Sequence, residues 1–192
     1  MTPVRRALAF GGIVGPAAFV GSWALAGAIT PHYSPITDPI SELAAVYAPT
    51  RVLMTTGFIV DGLGIAAFGL ALRDELAGHA WIAAAATGAF TFAVAASPLR
   101  HTATNRLHAT FAGLAYLSLV ALPTLATRPI AASKGRRWAI GSALAAAVSA
   151  FSLAVSTQVG AEGLWQRIGL TAGDVWIVAA AFALVARRSV SE

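Results

Sequence analysis

Apolar residues run along this chain in long unbroken blocks, with no period-two alternation and with polar residues gathered between the blocks. Six blocks emerge, at Ala7–Ile29, Val52–Leu72, Trp81–Ser97, Leu107–Ala126, Trp138–Thr157 and Ile168–Ala186. Each is near the roughly 20 residues that a helix needs to cross the hydrocarbon core of a bilayer. The pattern predicts an all-α fold, an integral membrane bundle of six transmembrane helices forming a single domain over residues 1–192. The first block follows a basic start at Arg5 and Arg6, and Ala24-Leu25-Ala26 mimics a signal-cleavage site. At 23 residues the block exceeds a signal core of about 7–15 residues, so it is read as a retained first helix.

Orientation follows from the basic residues between blocks. Arg5, Arg6, Arg73, Arg128, Lys134, Arg136, Arg137, Arg187 and Arg188 fall on one side, outnumbering Arg51, Arg100, Arg106 and Arg167 on the other. Cytoplasmic loops carry the excess of Lys and Arg, which predicts N- and C-termini in the cytoplasm. Small residues predict how the helices meet. Gly11 and Gly15 form a small-xxx-small pair, and Ser142, Ser149 and Ser156 recur every seven residues, spacings that permit close backbone approach in lipid. Trp23, Trp81, Trp138 and Trp165 lie where interfacial anchors are expected.

The one long connection, Thr30 to Arg51, contains Asp38-Pro39, a helix-start signal in which Asp caps and Pro takes the first helical position. Ile40, Leu43 and Val46 or Tyr47 then share a face until Pro49. This predicts a short amphipathic helix in the first outer loop, carrying Ser41 and Glu42 in its first turns.

Composition agrees with a membrane class. Hydrophobic residues make up 57% and charged residues 11%, against about a quarter charged in soluble domains, and mean hydropathy is +0.72. The net charge of +5 does not imply nucleic acid, because the basic residues cap apolar runs and form no stripe. Zero cysteines exclude disulfides, thiolate metal sites and a cysteine nucleophile.

Ionisable groups then separate the two sides. On the outer side stand His32, Asp38, Glu42, Arg51, Asp61, Arg100, His101, Arg106, His108, Glu162, Arg167 and Asp174. Asp61 lies about ten residues into its span, near the midplane at about 1.5 Å per residue, and Asp174 shares a face of the last helix with Arg167. Such groups face the bundle interior and are paired. The expected site sets Arg51 and Arg167 against Glu42, Asp61 and Asp174, with His108 at the rim. Plainer roles compete: Asp38 as a cap, Glu42 complementing a helix dipole, Asp61 as a protonated, uncharged carboxyl, Arg51, Arg100 and Arg106 snorkelling to headgroups, Arg167 with Asp174 as a structural tie, and His32 and His101 in solvent.

At Ser41-Glu42-Leu43, at His108 and at Gly163-Leu164-Trp165-Gln166-Arg167 the chain resembles the six-helix bacterial membrane family catalogued as domain of unknown function 998. The resemblance covers nearly the whole chain. It implies the six-helix fold in a bacterial inner membrane and a site of Glu42, His108 and Arg167; it implies no reaction, and Asp61 and Asp174 match none of its motifs.

Three classes of function follow. In the first, the polar groups form an outward-facing pocket that binds a lipid headgroup or a small polar ligand. In the second, a metal-dependent intramembrane hydrolase uses Glu42 as base and Ser41 as helper, with His101, His108 and Glu42 as metal-ligand candidates. The metal pattern is poor, for the chain has no His-x-x-x-His pair and would need carboxylates in the ligand set. A Ser41–His108 triad lacks a nucleophile elbow, and bis-histidine haem lacks a facing second histidine. A third reading is an accessory subunit that holds a membrane protein partner. Membrane lipids are partners in every reading.

Overall fold

The computed structural model describes residues 2–100, 106–158 and 160–186. The described residues form six α-helices: α1 (Pro3–Ile29), α2 (Arg51–Arg73), α3 (Ala80–Ala96), α4 (Arg106–Lys134), α5 (Arg136–Ser156) and α6 (Glu162–Val185). Among the described residues, all but α3 are long and apolar enough to cross a membrane. α3 has 17 residues and no charged side chain.

Each helix packs on its neighbours in sequence, and α6 returns to pack on α1, so the bundle is a ring closed in chain order. Two contacts fix the α1–α2 pair as antiparallel. The Arg5 guanidinium meets the Asp74 carboxylate at 2.8 Å at one end, and the Thr30 and Thr50 hydroxyls lie 3.3 Å apart at the other. The ion pair is largely exposed, so it marks proximity more than it stabilises. Below, the end holding residues 30–50 is called the loop end, and the opposite one the basic end.

Several helices run further than hydropathy predicts. α4 continues past Ala126 through Arg128 to Lys134, passing Pro123 and Pro129 without ending. Neighbouring hydroxyls engage carbonyls there: Thr127 donates to Pro123 O and Ser133 to Pro129 O, both at 2.8 Å. α6 begins at Glu162 rather than Ile168, which places Arg167 in its second turn and not in a connection. A helix need not stop where charge begins, because its polar end can stand in the headgroup layer.

The packing role assigned to small residues holds at the backbone level. A Cβ on Gly11 would strike the Gly64 carbonyl, and one on Gly15 would lie 3.1 Å from Asp61 O. Gly62 and Gly88 make the corresponding close approach between α2 and α3. In α5, the Ser149 hydroxyl donates to Gly169 O at 2.8 Å, and Ser142 accepts from Trp176 Nε1 at 2.8 Å. Phe68, Leu122, Ile177 and Ala181 fill the core towards the basic end. Phe19, Ile40, Leu43, Met54 and Phe58 fill it towards the loop end.

The connection between α1 and α2 differs from the expected amphipathic helix. Its regular part is a 3-10 turn of five residues, Ile40–Ala44, following Pro39 with no side-chain cap. Asp38 serves the turn before it, accepting from Ser34 N at 2.7 Å and from the Thr37 hydroxyl at 2.8 Å. Ile40, Leu43, Ala44 and Ala45 are buried, and Val46 N donates to Leu99 O at 2.9 Å, so this segment is seated on the bundle.

Candidate functional site

At the loop end the ring encloses a cavity of about 400 Å³. All six helices contribute to it. Phe19 comes from α1, Phe58, Asp61 and Ile65 from α2, Thr87, Thr91 and Val94 from α3, and His108, Ala112, Gly113, Tyr116 and Leu119 from α4. Ser156 closes it on α5, and Glu162, Gln166, Leu170 and Asp174 on α6. Pro39, Ile40 and Ser41 of the connection border it as well. Glu162 and Asp174 lie on one helix twelve residues apart, which corresponds to about 18 Å of depth.

The predicted residues divide into three groups. Ser41, Asp61, His108 and Asp174 reach the cavity wall. Arg167 is buried behind it, among the carbonyls of the connection. Glu42 and Arg51 point their side chains to the exposed surface. Arg100, Arg106 and His32 are also exposed, and His101 falls outside the described residues.

Arg167 does not sit against Asp61 or Asp174, as the sequence pattern suggested. Its Nη1 donates to Pro35 O at 2.9 Å, Gly163 O at 2.9 Å and Asp38 O at 3.2 Å, and its Nη2 donates to the Tyr33 hydroxyl. The guanidinium also lies 5.1 Å from the Trp23 ring centre and 5.5 Å from that of Tyr33, an arrangement favourable for a desolvated cation. Trp23, expected as an interfacial anchor, is therefore part of this cage. The early start of α6 explains the change: in its second turn, Arg167 lies beneath residues 33–38 and within reach of their carbonyls.

The neighbours of Arg167 secure the same segment. Leu164 N donates to Ile36 O at 2.9 Å. Gln166 accepts from Ile40 N at 2.8 Å through Oε1 and donates to the Tyr116 hydroxyl through Nε2. A Cβ on Gly163 would run into Asp38 O and lie 2.8 Å from both Pro35 O and Arg167 Nη1. Trp165 packs edge-on against Phe151 at 5.9 Å between ring centres. Each residue of the run 163–167 thus has a contact, and four of the five hold the connection to α6. Gln166 and Tyr116 escaped the sequence reading as site residues, although Gln166 stands inside the quoted motif. Tyr116 is a single tyrosine in an apolar helix, which gives no signal.

His108 is 6% exposed, and its Nδ1 lies 2.8 Å from Ser97 O. A carbonyl only accepts, so Nδ1 carries the proton and Nε2 is the nitrogen left for a ligand. Outside the spans, burial raises the Tyr33 phenol above its ordinary pKa while Arg167 opposes the rise. The phenol therefore stays protonated and donates to Asp38 O and Pro39 O at 3.1 and 3.2 Å. Partial desolvation raises the Glu42 carboxyl, and the charges of Asp38 and Glu162 add to the rise.

Asp61 and Asp174 contrast with the hydrogen-bonded His108 and Tyr33. They are 4% and 5% exposed, and both line the same cavity. Asp61 Oδ1 and Asp174 Oδ2 are buried without a hydrogen-bond partner, as is Arg167 Nε, but Arg167 has both terminal nitrogens bonded. Among the described residues, no group of three His, Cys, Asp or Glu side chains is placed to hold a metal ion. Charged oxygens left in that state are costly in an apolar interior.

Compared with known proteins, the chain matches no curated protein and no solved structure. A family model described as protein of unknown function (DUF998) matches residues 13–183, from the first helix into the last, and the chain belongs to that family.

Proposed function

We propose that this protein spans the membrane six times with both termini in the cytoplasm, and that its cavity faces outward and binds a lipid headgroup or a small polar ligand. The cavity carries this reading. Its volume of about 400 Å³ lies within the roughly 300–1,000 Å³ of small-molecule sites, and mostly apolar walls with a few convergent polar groups are their usual lining. Arg5, Arg73, Lys134, Arg136 and Arg137 stand at the end away from the cavity, the cytoplasmic side by the distribution of basic charge. α3 counts as a span in this reading because it packs between α2 and α4 and is free of charge along its length. Metal-dependent hydrolysis finds less support, since the described residues offer no three-donor cluster and His108 keeps a single nitrogen for a ligand.

Gly113 provides the test, because it lines the cavity and a Cβ there meets nothing within 4 Å. Native mass spectrometry of the protein in mild detergent should show a stoichiometric small molecule or lipid on the wild type and none on Gly113→Trp. Equal retention by both would rule the cavity out as its site. Orientation is tested with single cysteines at Ala48 and Lys134 in a chain that otherwise has none. Lys134 serves better than its neighbour Gly135, whose φ of +93° is strained for a cysteine. The two should label from opposite sides of the membrane, and labelling from one side would overturn the topology.

A further inference from the structure

We infer that the ligand of this cavity carries an organic ammonium group, seated at the deep end between the carboxyls of Asp61 and Asp174. The inference rests on reading the cavity as a ligand site, and adds the chemistry of what enters it. The two carboxyls come from α2 and α6 and are both more than nine-tenths buried. Both line the cavity, and each retains an oxygen with no partner. In a bundle interior a carboxylate is stabilised by positive charge beside it. Arg167, two turns above Asp174 on α6, has both terminal nitrogens engaged by Tyr33, Pro35, Asp38 and Gly163. The compensating charge is therefore assigned to the occupant.

The surroundings select the kind of cation. A bare divalent ion wants three or more protein donors, and the described residues gather no such set. A cavity of about 400 Å³ walled by Phe19, Phe58, Ile65 and Leu119 suits an organic body instead. The Phe19 and Phe58 rings, 5.4 Å apart between centres, both line the cavity, and aromatic rings attract alkylated ammonium groups. A free amine and an amine-bearing lipid headgroup share this chemistry.

The test uses radiolabelled benzyltrimethylammonium and its uncharged carbon isostere, neopentylbenzene. Full-length protein is placed in discs of phosphatidylglycerol alone and in discs that also contain phosphatidylethanolamine. The expected result is saturable binding of one cation per chain, unaffected by the isostere. Asp61→Asn and Asp174→Asn should each weaken it at least ten-fold. Neither variant should melt below wild type, because an amide removes an unpartnered buried charge at nearly constant shape. Displacement by phosphatidylethanolamine would identify a lipid headgroup as the natural source, and its failure to displace would identify a free amine. If the isostere competes equally, or if cation binding survives both substitutions, the ammonium inference falls while the cavity reading stands. Saturable binding of neither probe, together with equal ligand retention by wild type and Gly113→Trp, would end both.

Discussion

Arg167 and Asp174 are both buried on α6, two turns apart, yet the protein treats the two charges in opposite ways. Around Arg167 stand backbone carbonyls, a phenol and two aromatic faces, which leave only Nε without a partner. Around Asp174 there is a second acid, a cavity and an oxygen without a partner. A buried charge whose terminal nitrogens are all engaged within its own chain holds structure together. One left unsatisfied beside an open volume implies an outside partner. The difference separates scaffold from site more reliably than charge or depth alone, since burial of the two residues is nearly equal, at 7% and 5% exposed.

The sharpest way to break the comparison is Arg167→Leu. It strips the donors from Pro35, Asp38 and Tyr33 at once, and it should cost about 3 kcal/mol of stability, because hydrogen bonds to a charged group are worth about 1.5–3 kcal/mol. Thermal melting in detergent should fall by several degrees, opposite in sign to any change at Asp61 or Asp174. Unchanged melting would show that the cage does not hold the connection. A gentler probe is Gly163→Ala, which adds one methyl where Asp38 O, Pro35 O and Arg167 Nη1 already crowd. Overpacking of this kind costs about 1–3 kcal/mol, and the same substitution at Gly113, where space is open, should be nearly neutral. Equal melting of the two alanine variants would mean that the space around Gly163 is not limiting.

The helical bundle was legible because apolar run length is set directly by bilayer thickness, and the runs are separated by charge. Helix ends were less so. Hydropathy cannot tell a charged residue in a connection from one on the last polar turn of a helix, which is why α4 reached Lys134 and α6 began at Glu162. That error of six residues moved Arg167 from an expected carboxylate partner to a cage of carbonyls. Its partners lie more than 125 residues away in an irregular segment, which no periodicity reports. The family motif at 163–167 located the knot without revealing its purpose. Asp61 and Asp174 were readable as buried acids from their places within apolar blocks. Their proximity was not, because it depends on how α2 and α6 are rotated within the ring.

The closed ring also dictates an order of events during synthesis. The connection between α1 and α2 leaves the ribosome early, but the arginine that fastens it lies 132 and 134 residues away from two of its acceptors. At about 5–20 residues per second, that separation lasts on the order of ten seconds. Until α6 arrives, the roof of the cavity has no keystone, and nascent chains halted before α6 should expose residues 33–38 to protease.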